Sequence, residues 1–436
     1  MNRSYAQKFL HYSSLSVLGT VGVSCYILAD TFFVAQALGT NGLAALNLAI
    51  PVYNLIHGTG LWFGMGGATK FAIRKTSNDP RESGRIFTNT LYLVLAASML
   101  FMLVGLCCPT PLAKMLGAGG GTLEMTVTYL RWLLLFAPAF LLNDLLLCFV
   151  RNDGAPSLSA AAMLGSSFSN IVLDYIFMFP LKLGIFGAVF ATGLSALIGV
   201  LMMTPHLLRG KSNFRWIRTR LSRGIIADDL RLGFPSLIGQ LAAGITMVLF
   251  NWLILRLEGT TGVAAYGVVA NLSLVITAIY TGLSQGVQPL LSSAYGKRRW
   301  TDVTIYYRYA IVTVAILSVA LYLLLFWFAD PIAAVFNREQ HQTLQQIAID
   351  GIRLYFLSNL FVGYNTVLSV YFPSVEHPFP AQLLSLLRGF LLLIPVAIVC
   401  SFLFGMTGIW LAYPLTEGVT AIAGFFWHRA YAAKQS

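Results

Sequence analysis

Four carboxylic acids interrupt long apolar stretches of this 436-residue chain: Asp30, Asp144, Asp174 and Glu417. An ionised side chain at the centre of a bilayer costs roughly 2.5–3.5 kcal/mol on insertion scales. Acids persist at such positions where they bind a cation, relay a proton or pair with another polar group. These four residues therefore define candidate sites, provided that the apolar stretches cross a membrane.

Asp30 and Asp174 are the strongest candidates. Each lies about 16 residues from the start of its apolar stretch, so helices that begin at one membrane surface bring both acids to a common depth. Asn170 precedes Asp174 by one helical turn, and Thr192 in the next stretch reaches a similar depth. We expect these four side chains to line one polar pocket. The alternative is that the two acids only stabilise helix contacts by hydrogen bonding.

Asp144 and Glu417 are weaker candidates. We expect Asp144 to lie near the inner end of its helix and to pair with Arg151. Glu417 is predicted either to line the second helical bundle or to help bind a cationic substrate, and Arg388 to reach polar groups in that bundle. No metal site is predicted, because the five cysteines lack ligand spacing and the six histidines are scattered.

Membrane helices are the elements expected to position these acids. Hydrophobic residues make up 57% of the chain and charged residues 10%, whereas a soluble domain carries roughly 25% charged residues. A bilayer span takes about 20 apolar residues, and about twelve such stretches follow one another, numbered here as spans 1–12. Their approximate bounds are 14–38, 43–69, 86–109, 125–149, 157–180, 184–207, 232–256, 262–292, 304–328, 347–372, 380–403 and 407–428.

The net charge of +12 reflects basic loops between the spans, so nucleic-acid binding is not predicted. Counted from a cytoplasmic N-terminus, 21 of the 28 basic residues fall in inside segments, six fall outside, and Arg388 lies within span 11. Lys and Arg accumulate in cytoplasmic loops. The excess therefore predicts that both termini lie in the cytoplasm and that the lipid bilayer surrounds the chain.

The sequence also contains an internal repeat. GTNGLAA at 39–45 matches GTTGVAA at 259–265, and Gly184 matches Gly405 further on. Asp30 aligns with Phe250, so the repeat itself does not require the acid. Each half has six spans, an even number, and the two repeats therefore enter the bilayer in the same orientation.

The repeat predicts an all-α integral membrane protein with twelve transmembrane helices in two parallel six-helix bundles. The expected units are a first lobe at 1–207, a basic cytoplasmic linker at 208–231 and a second lobe at 232–436. Two bundles of this kind leave a cleft that opens to either side by rocking. The architecture favours transport over a static scaffold.

Three segments resemble the multidrug and toxic compound extrusion (MATE) family. DTFFVAQALGTNGLAALNLAIPV is similar to the family's helix 1–2 segment, NIVLDYIFMFPLKLGIFGAVFAT to its helix 5–6 segment, and GLSQGVQPLLSSAYGKRR to the end of its helix 8. The resemblance implies a V-shaped pair of lobes in a bacterial cytoplasmic membrane, exporting drugs or metabolites against inward H⁺ or Na⁺, without enzymatic activity or a bound cofactor. It also implies that Asp30, Asn170, Asp174 and Thr192 form the cation site of the first lobe.

Two features depart from the family pattern. Many members carry a proline early in helix 1, where this chain has SSLSVLG, and one subgroup has an acid on helix 7 that is absent from residues 234–256. The first departure argues against bending of helix 1 about a proline. The second favours coupling through the first lobe.

The substrate is the least determined element of the prediction. Tyr53, Tyr266, Tyr280 and Tyr364, with Glu417, are candidates for a cavity that accepts cationic or amphipathic compounds, although such aromatics more often serve packing. A flippase for lipid-linked sugars is the alternative function and favours a basic cavity. The sequence contains neither an HExxH motif nor a phosphate-binding glycine loop, so an enzyme is not predicted. A monomer is expected, because each chain carries both lobes.

Overall fold

The computed structural model describes residues 3–75, 80–208, 210, 212–337 and 341–433. Within these ranges the chain forms helices, turns and short extended segments but no β-strand, which confirms the all-α prediction. Four basic residues used in the topology count lie outside the described residues: Arg209, Lys211, Arg338 and Lys434.

Fourteen α-helices cover most of the described chain. Their bounds are α1 Arg3–Arg74, α2 Pro80–Cys107, α3 Pro109–Met115, α4 Leu123–Leu135, α5 Ala137–Asn152, α6 Pro156–Met178, α7 Gly184–Leu208, α8 Arg223–Gly296, α9 Trp300–Trp327, α10 Ala329–Phe336, α11 Gln342–Tyr355, α12 Asn359–Ser374, α13 Pro378–Leu386 and α14 Leu393–Ala433. A π-helical turn at Leu387–Leu391 joins α13 to α14, and a 3₁₀ turn at Phe356–Ser358 joins α11 to α12.

Helix α1 is two antiparallel arms. Its 72 residues would extend about 108 Å if straight, more than three times the thickness of a bilayer core. Gly39 breaks the helix with φ 64° and ψ −152°, a conformation that glycine adopts without steric cost. Tyr26 and Tyr53 hydrogen-bond across the break, although a straight helix would separate them by about 40 Å. The chain therefore reverses at Gly39 and crosses the membrane twice.

Helices α8 and α14 reverse in the same way. Gly259 in α8 has φ 61° and ψ −152°, and the rings of Phe250 and Tyr266 lie 5.6 Å apart across it. Gly405 in α14 has φ 58°, and a Cβ at Gly408 would lie 1.9 Å from the Cys400 carbonyl oxygen. Both helices consequently return on themselves instead of continuing straight.

The reversals account for the predicted number of spans. Seven helical units are individually long and apolar enough to cross a membrane, and the bent pair α4–α5 makes an eighth. Three of these units reverse and contribute a second crossing each, which gives eleven. The α11–α12 pair supplies the twelfth crossing, in agreement with the twelve spans read from the sequence.

The backbone repeats along with the sequence. Gly39 and Gly259 share nearly the same φ and ψ, and Gly184 and Gly405 have φ 60° and 58°. The buried apolar residues form two clusters, one spanning 34–214 and one spanning 250–412 with Phe9 added. Each half of the chain thus has its own hydrophobic core.

The segment between the halves is mostly extended. Helix α8 begins at Arg223, inside the predicted linker, because the chain becomes helical after Ser222. Phe214 is fully buried against the rings of Phe71, Phe87 and Phe149 in the first core. One linker side chain thereby fixes this segment to the first half.

The halves meet through closely packed backbones. A Cβ at Gly233 of α8 would lie 1.7 Å from the Trp62 carbonyl oxygen, and one at Gly66 would lie 2.1 Å from the Asp229 carbonyl oxygen. Between the first arm of α1 and the second arm of α8, a Cβ at Gly286 would lie 2.7 Å from the Tyr12 carbonyl oxygen. Only glycine permits these approaches, so the seam between the halves depends on the absence of side chains.

A substitution at this seam should destabilise the protein. We expect Gly233→Ala to cost roughly 1–3 kcal/mol of overpacking and to lower the apparent Tm by a few degrees in detergent. Gly239→Ala is the matched control, because it lies on the same helix with nothing within 4 Å of an added Cβ. Equal melting temperatures for the two variants would contradict the proposed tight seam.

Candidate functional site

The four predicted cation-site residues lie on three neighbouring helices of the first half. Asp30 is on the first arm of α1, Asn170 and Asp174 are on α6, and Thr192 is on α7. All four are buried, with exposures of 7%, 0%, 0% and 3% respectively. Asn170 Nδ2 donates a hydrogen bond to Thr192 Oγ1 at 3.4 Å, and the charges of Asp30 and Asp174 interact electrostatically. We refer to this group as the acid site.

Small residues allow the helices around the acid site to approach closely. On α1, a Cβ at Gly19 would lie 2.8 Å from the sulfur of Met163, and one at Gly22 would lie 2.8 Å from Leu164 Cδ2 on α6. Asp30 lies about two turns beyond Gly22 along α1, towards the reversal at Gly39. The glycines therefore hold α1 against the helix that carries Asn170 and Asp174.

Several oxygens of the acid site lack hydrogen-bond partners among the described residues. They are Asp30 Oδ1, Asn170 Oδ1 and both carboxyl oxygens of Asp174. Nearly all buried polar atoms in proteins have a partner, and a buried carboxylate without one takes up a proton or a cation. The site therefore has the chemistry to hold H⁺ or a hard cation coordinated by oxygen.

Two tyrosines border the acid site and were not predicted. Tyr26 lies one turn before Asp30 on α1, and Tyr129 on α4 is 3% exposed. Both interact electrostatically with Asp30 and Asp174. The spacing of Tyr26 from Asp30 was a usable signal, whereas Tyr129 reaches the site only through tertiary packing.

The prediction that Asp144 pairs with Arg151 is wrong. Asp144 Oδ2 lies 2.9 Å from His57 Nδ1, and Arg151 donates to Gln285 of α8 at 2.7 Å. Two turns of helix separate Asp144 from Arg151 by about 10 Å, which is too far for an ion pair. Gly60 makes the observed pair possible, since a Cβ there would lie 2.5 Å from Asp144 Oδ2.

Glu417 in the second half is fully paired. Arg388 contacts Glu417 Oε1 through Nη2 at 2.8 Å and Nε at 2.9 Å, and Asn365 Nδ2 donates to Oε2 at 2.7 Å. Glu417 is 0% exposed. Arg388 thus reaches polar groups of the second bundle, as predicted. The carboxylate has both oxygens occupied by protein groups, so its predicted contact with substrate gains no support.

The predicted aromatic residues occupy different environments. Tyr266 and Tyr280 are 4% and 0% exposed in the second core, where Tyr280 Oη lies 3.1 Å from Ser318 Oγ. Tyr53 and Tyr364 are half-buried. Their role in substrate binding stays a prediction, and the burial of the first two favours packing.

A cavity of about 610 Å³ lies between the halves, and we call it the central cavity. Its lining is almost entirely apolar and includes Trp252, whose ring is covered by the guanidinium of Arg256 at 3.9 Å. Sequence reasoning predicted a cleft between the two bundles but not these lining residues, because they come from distant segments with no shared motif. The lining residues are Pro51, Asn54, Leu241, Gly244, Ile245, Val248, Leu249, Trp252 and Ile394.

Hydrogen bonds between the halves cluster at the end of the molecule opposite the reversing glycines, which we call the closed end. Asn152 donates to Gln288 at 2.8 Å, and Gln288 donates to Thr69 at 2.9 Å. Lys70 lies 2.9 Å from Asp228 and 2.6 Å from Glu376. The described hydrogen bond nearest the reversals, Ser24 Oγ to the Leu274 carbonyl at 3.5 Å, is still about 22 Å of helix from Gly39.

Comparison with known proteins places the chain among transporters. The MatE family model matches residues 16–176 and 235–399. The multidrug export protein MepA of Staphylococcus aureus (strain MRSA252) is 26% identical over 419 residues, covering 95% of this chain and 91% of that protein. MepA of Staphylococcus saprophyticus is equally similar, at 26% identity over the same length.

Solved structures share the whole fold. A MATE protein in complex with MaL6 superposes with a TM-score of 0.93 at 25% identity, covering 99% of this chain and 98% of that one. An outward-facing multidrug resistance MATE family transporter gives a TM-score of 0.92 at 25% identity, with coverages of 98% and 96%.

The two matched blocks cover most of the chain and fall one in each repeat. They include the acid-site residues on α1 and α6 and the residues that line the central cavity. The all-α membrane protein described above therefore belongs to the MatE family and is a MATE transporter.

Proposed function

We propose that this transporter exports small organic compounds, cationic or amphipathic, in exchange for inward H⁺ or Na⁺. The observation that carries the proposal is the set of buried oxygens on Asp30, Asn170 and Asp174 without protein partners. A static helix contact would satisfy those oxygens with hydrogen bonds. The relatives named as multidrug export proteins support the direction and the substrate class.

Cation occupancy of the acid site is the proposed coupling step. A proton on Asp30 or Asp174, or Na⁺ held by the same oxygens, neutralises the pocket from the outer side. The first arm of α1 then repacks against α6 and α7, and the substrate leaves outward. Release of the cation towards the cytoplasm restores the charged pocket and resets the cycle.

The closed end supports alternating access. With both termini in the cytoplasm, as the basic loops favour, Lys70, Gln288 and their partners close the cytoplasmic side. In this arrangement the central cavity communicates with the outer side. The inward-open state requires these polar contacts to separate while new contacts form near Gly39 and Gly259.

The driving force is adequate for export. One charge moving through 100 mV supplies about 2.3 kcal/mol. A tenfold gradient of a neutral solute opposes export by about 1.4 kcal/mol. One inward cation per cycle therefore drives useful export of a neutral compound. For a monovalent cationic compound, one-for-one exchange moves no net charge, and the ion concentration gradient alone supplies the driving force.

Two observations favour drug export over the flippase alternative. The described lining of the central cavity has no basic residue, and the nearby guanidinium of Arg256 lies over the ring of Trp252. Arg388, which lies within span 11, is already neutralised by Glu417. An apolar cavity lining suits a lipophilic compound better than a phosphate.

Removing the acids should uncouple transport. In proteoliposomes with pH and Na⁺ gradients imposed separately, we expect Asp30→Asn and Asp174→Asn each to lower gradient-driven ethidium export at least tenfold. The amide cannot bind the coupling proton and coordinates Na⁺ more weakly. Asp350→Asn, an exposed acid on α11, is the control and should transport normally. Full export driven by an ion gradient in both acid variants would exclude the proposal.

Thr192 should set the affinity for the cation. We expect Thr192→Val to raise the external H⁺ or Na⁺ concentration for half-maximal exchange about three- to tenfold, because one hydrogen-bonding oxygen is lost. Thr204→Val is the matched control, since both hydroxyls donate to the carbonyl one turn earlier on α7. The role assigned to Thr192 is wrong if the two variants show the same concentration dependence.

A further inference from the structure

A second titratable group lies in the first half and takes no part in the cycle described above. His57 Nδ1 and Asp144 Oδ2 are 2.9 Å apart, joining the second arm of α1 to α5. His57 Nε2 is buried and has no hydrogen-bond partner among the described residues. Since Asp144 fixes the hydrogen on Nδ1, the ring nitrogen left to accept a proton is Nε2.

The His57–Asp144 pair is linked to the acid site through two tyrosines. The ring of Tyr53, one turn earlier on the same arm, lies 4.4 Å from the imidazole of His57. The hydroxyl of Tyr53 hydrogen-bonds that of Tyr26, one turn from Asp30. Tyr26 interacts electrostatically with both Asp30 and Asp144, so it lies between the two sites and senses the charge of each.

The pair lies about one helical turn along α1 from a residue that lines the central cavity. Asn54, three residues before His57, lines that cavity and shares a helical face with it. His57 keeps 20% of its side chain exposed, whereas Asp144 keeps 8%. Gly58, next to His57, faces the uncharged Leu237 and Gln240 of α8.

We propose that His57 and Asp144 form a second proton-binding site, placed between the acid site and the central cavity. The inference rests on the proposed function, because it assigns a proton to the substrate pathway of the same antiporter. When Nε2 gains a proton, the imidazolium and the carboxylate sum to zero charge. When Nε2 loses it, the pair carries one negative charge beside the cavity, and a lipophilic cation is attracted. Substrate binding and protonation of the pair therefore exclude each other.

Other groups near the pair do not provide this charge change. On α5, Cys148 lies one turn beyond Asp144, and Arg151 lies a further turn away with its guanidinium on Gln285. Tyr129 on α4 interacts electrostatically with Tyr53. Asp30 and Asp174 reach the pair only across the two tyrosines. Within the described chain, His57 is thus the base that directly contacts Asp144.

Proton release on substrate binding tests the inference without transport. The full-length protein in nanodiscs, weakly buffered at pH 6.5, is titrated with ethidium while a pH indicator counts the protons released per ethidium bound. We expect the wild type to release protons and His57→Gln to release about half as many or fewer.

Two further variants protect the test against misfolding. Asp144→Asn retains the shape of the partner and should also release fewer protons. Gly60→Ala removes no titratable group but displaces the Asp144 side chain, since the added Cβ would lie 2.5 Å from Oδ2, and should reproduce the loss. His11→Gln, an exposed histidine whose ring contacts Ser157, is the control and should match the wild type.

The outcomes separate this inference from the proposed function. Wild-type proton release in His57→Gln and Asp144→Asn, with a reduced number in Asp30→Asn, overturns the second site and leaves the acid site intact. No release from the wild type overturns the second site, and the acid site is then judged by the Na⁺-gradient transport of Asp30→Asn and Asp174→Asn. A loss in His57→Gln, Asp144→Asn and Gly60→Ala but not in His11→Gln supports the pair as a proton-binding site.

Discussion

The fold depends on the cost of placing charge where water does not reach. Among the described residues, the acid site leaves Oδ1 of Asp30 and both carboxyl oxygens of Asp174 without partners, whereas the second half surrounds Glu417 with Arg388 and Asn365. A self-neutralised carboxylate has a constant charge and needs no ion. An unpaired carboxylate changes its charge whenever a cation arrives or leaves. The repeat thus supplies two similar frames, and the proposed cycle places its coupling charge in the first.

In the proposed function, that difference lets a symmetric scaffold carry its coupling site in one half. The reversing glycines Gly39 and Gly259 have matching backbone conformations, so the two halves are built alike. Asp30 nevertheless aligns with Phe250, which is fully buried in the apolar core of the second half. The proposal therefore assigns the mechanics of opening to both halves and the chemistry that biases opening to the first.

Much of this arrangement was readable from the sequence. Acids within apolar stretches identified Asp30 and Asp174, and helical spacing added Asn170 and Thr192, which the structure places on adjoining helices. The repeat matched Gly39 with Gly259, and the structure gives both nearly the same φ. The partner of Asp144 was not predictable, because 87 residues separate it from His57 and no periodicity joins the two. A cleft between the bundles was predicted, but its lining was not, because Trp252 reaches the cavity only through packing between the halves.

The glycine seam has a consequence for the energetics of rocking. Gly66, Gly233 and Gly286 bring the backbones of the two halves together, so little side-chain volume lies at those three points. Aromatic side chains also pack across the halves, with the ring centroids of Trp62 and Phe234 6.2 Å apart and those of Tyr5 and Tyr306 5.6 Å apart. Parting the halves therefore uncovers apolar surface as well as the hydrogen bonds of Gln288 and the ion pairs of Lys70. Incoming water replaces the polar contacts with bonds of similar strength, so the aromatic contacts set the hydrophobic cost of opening.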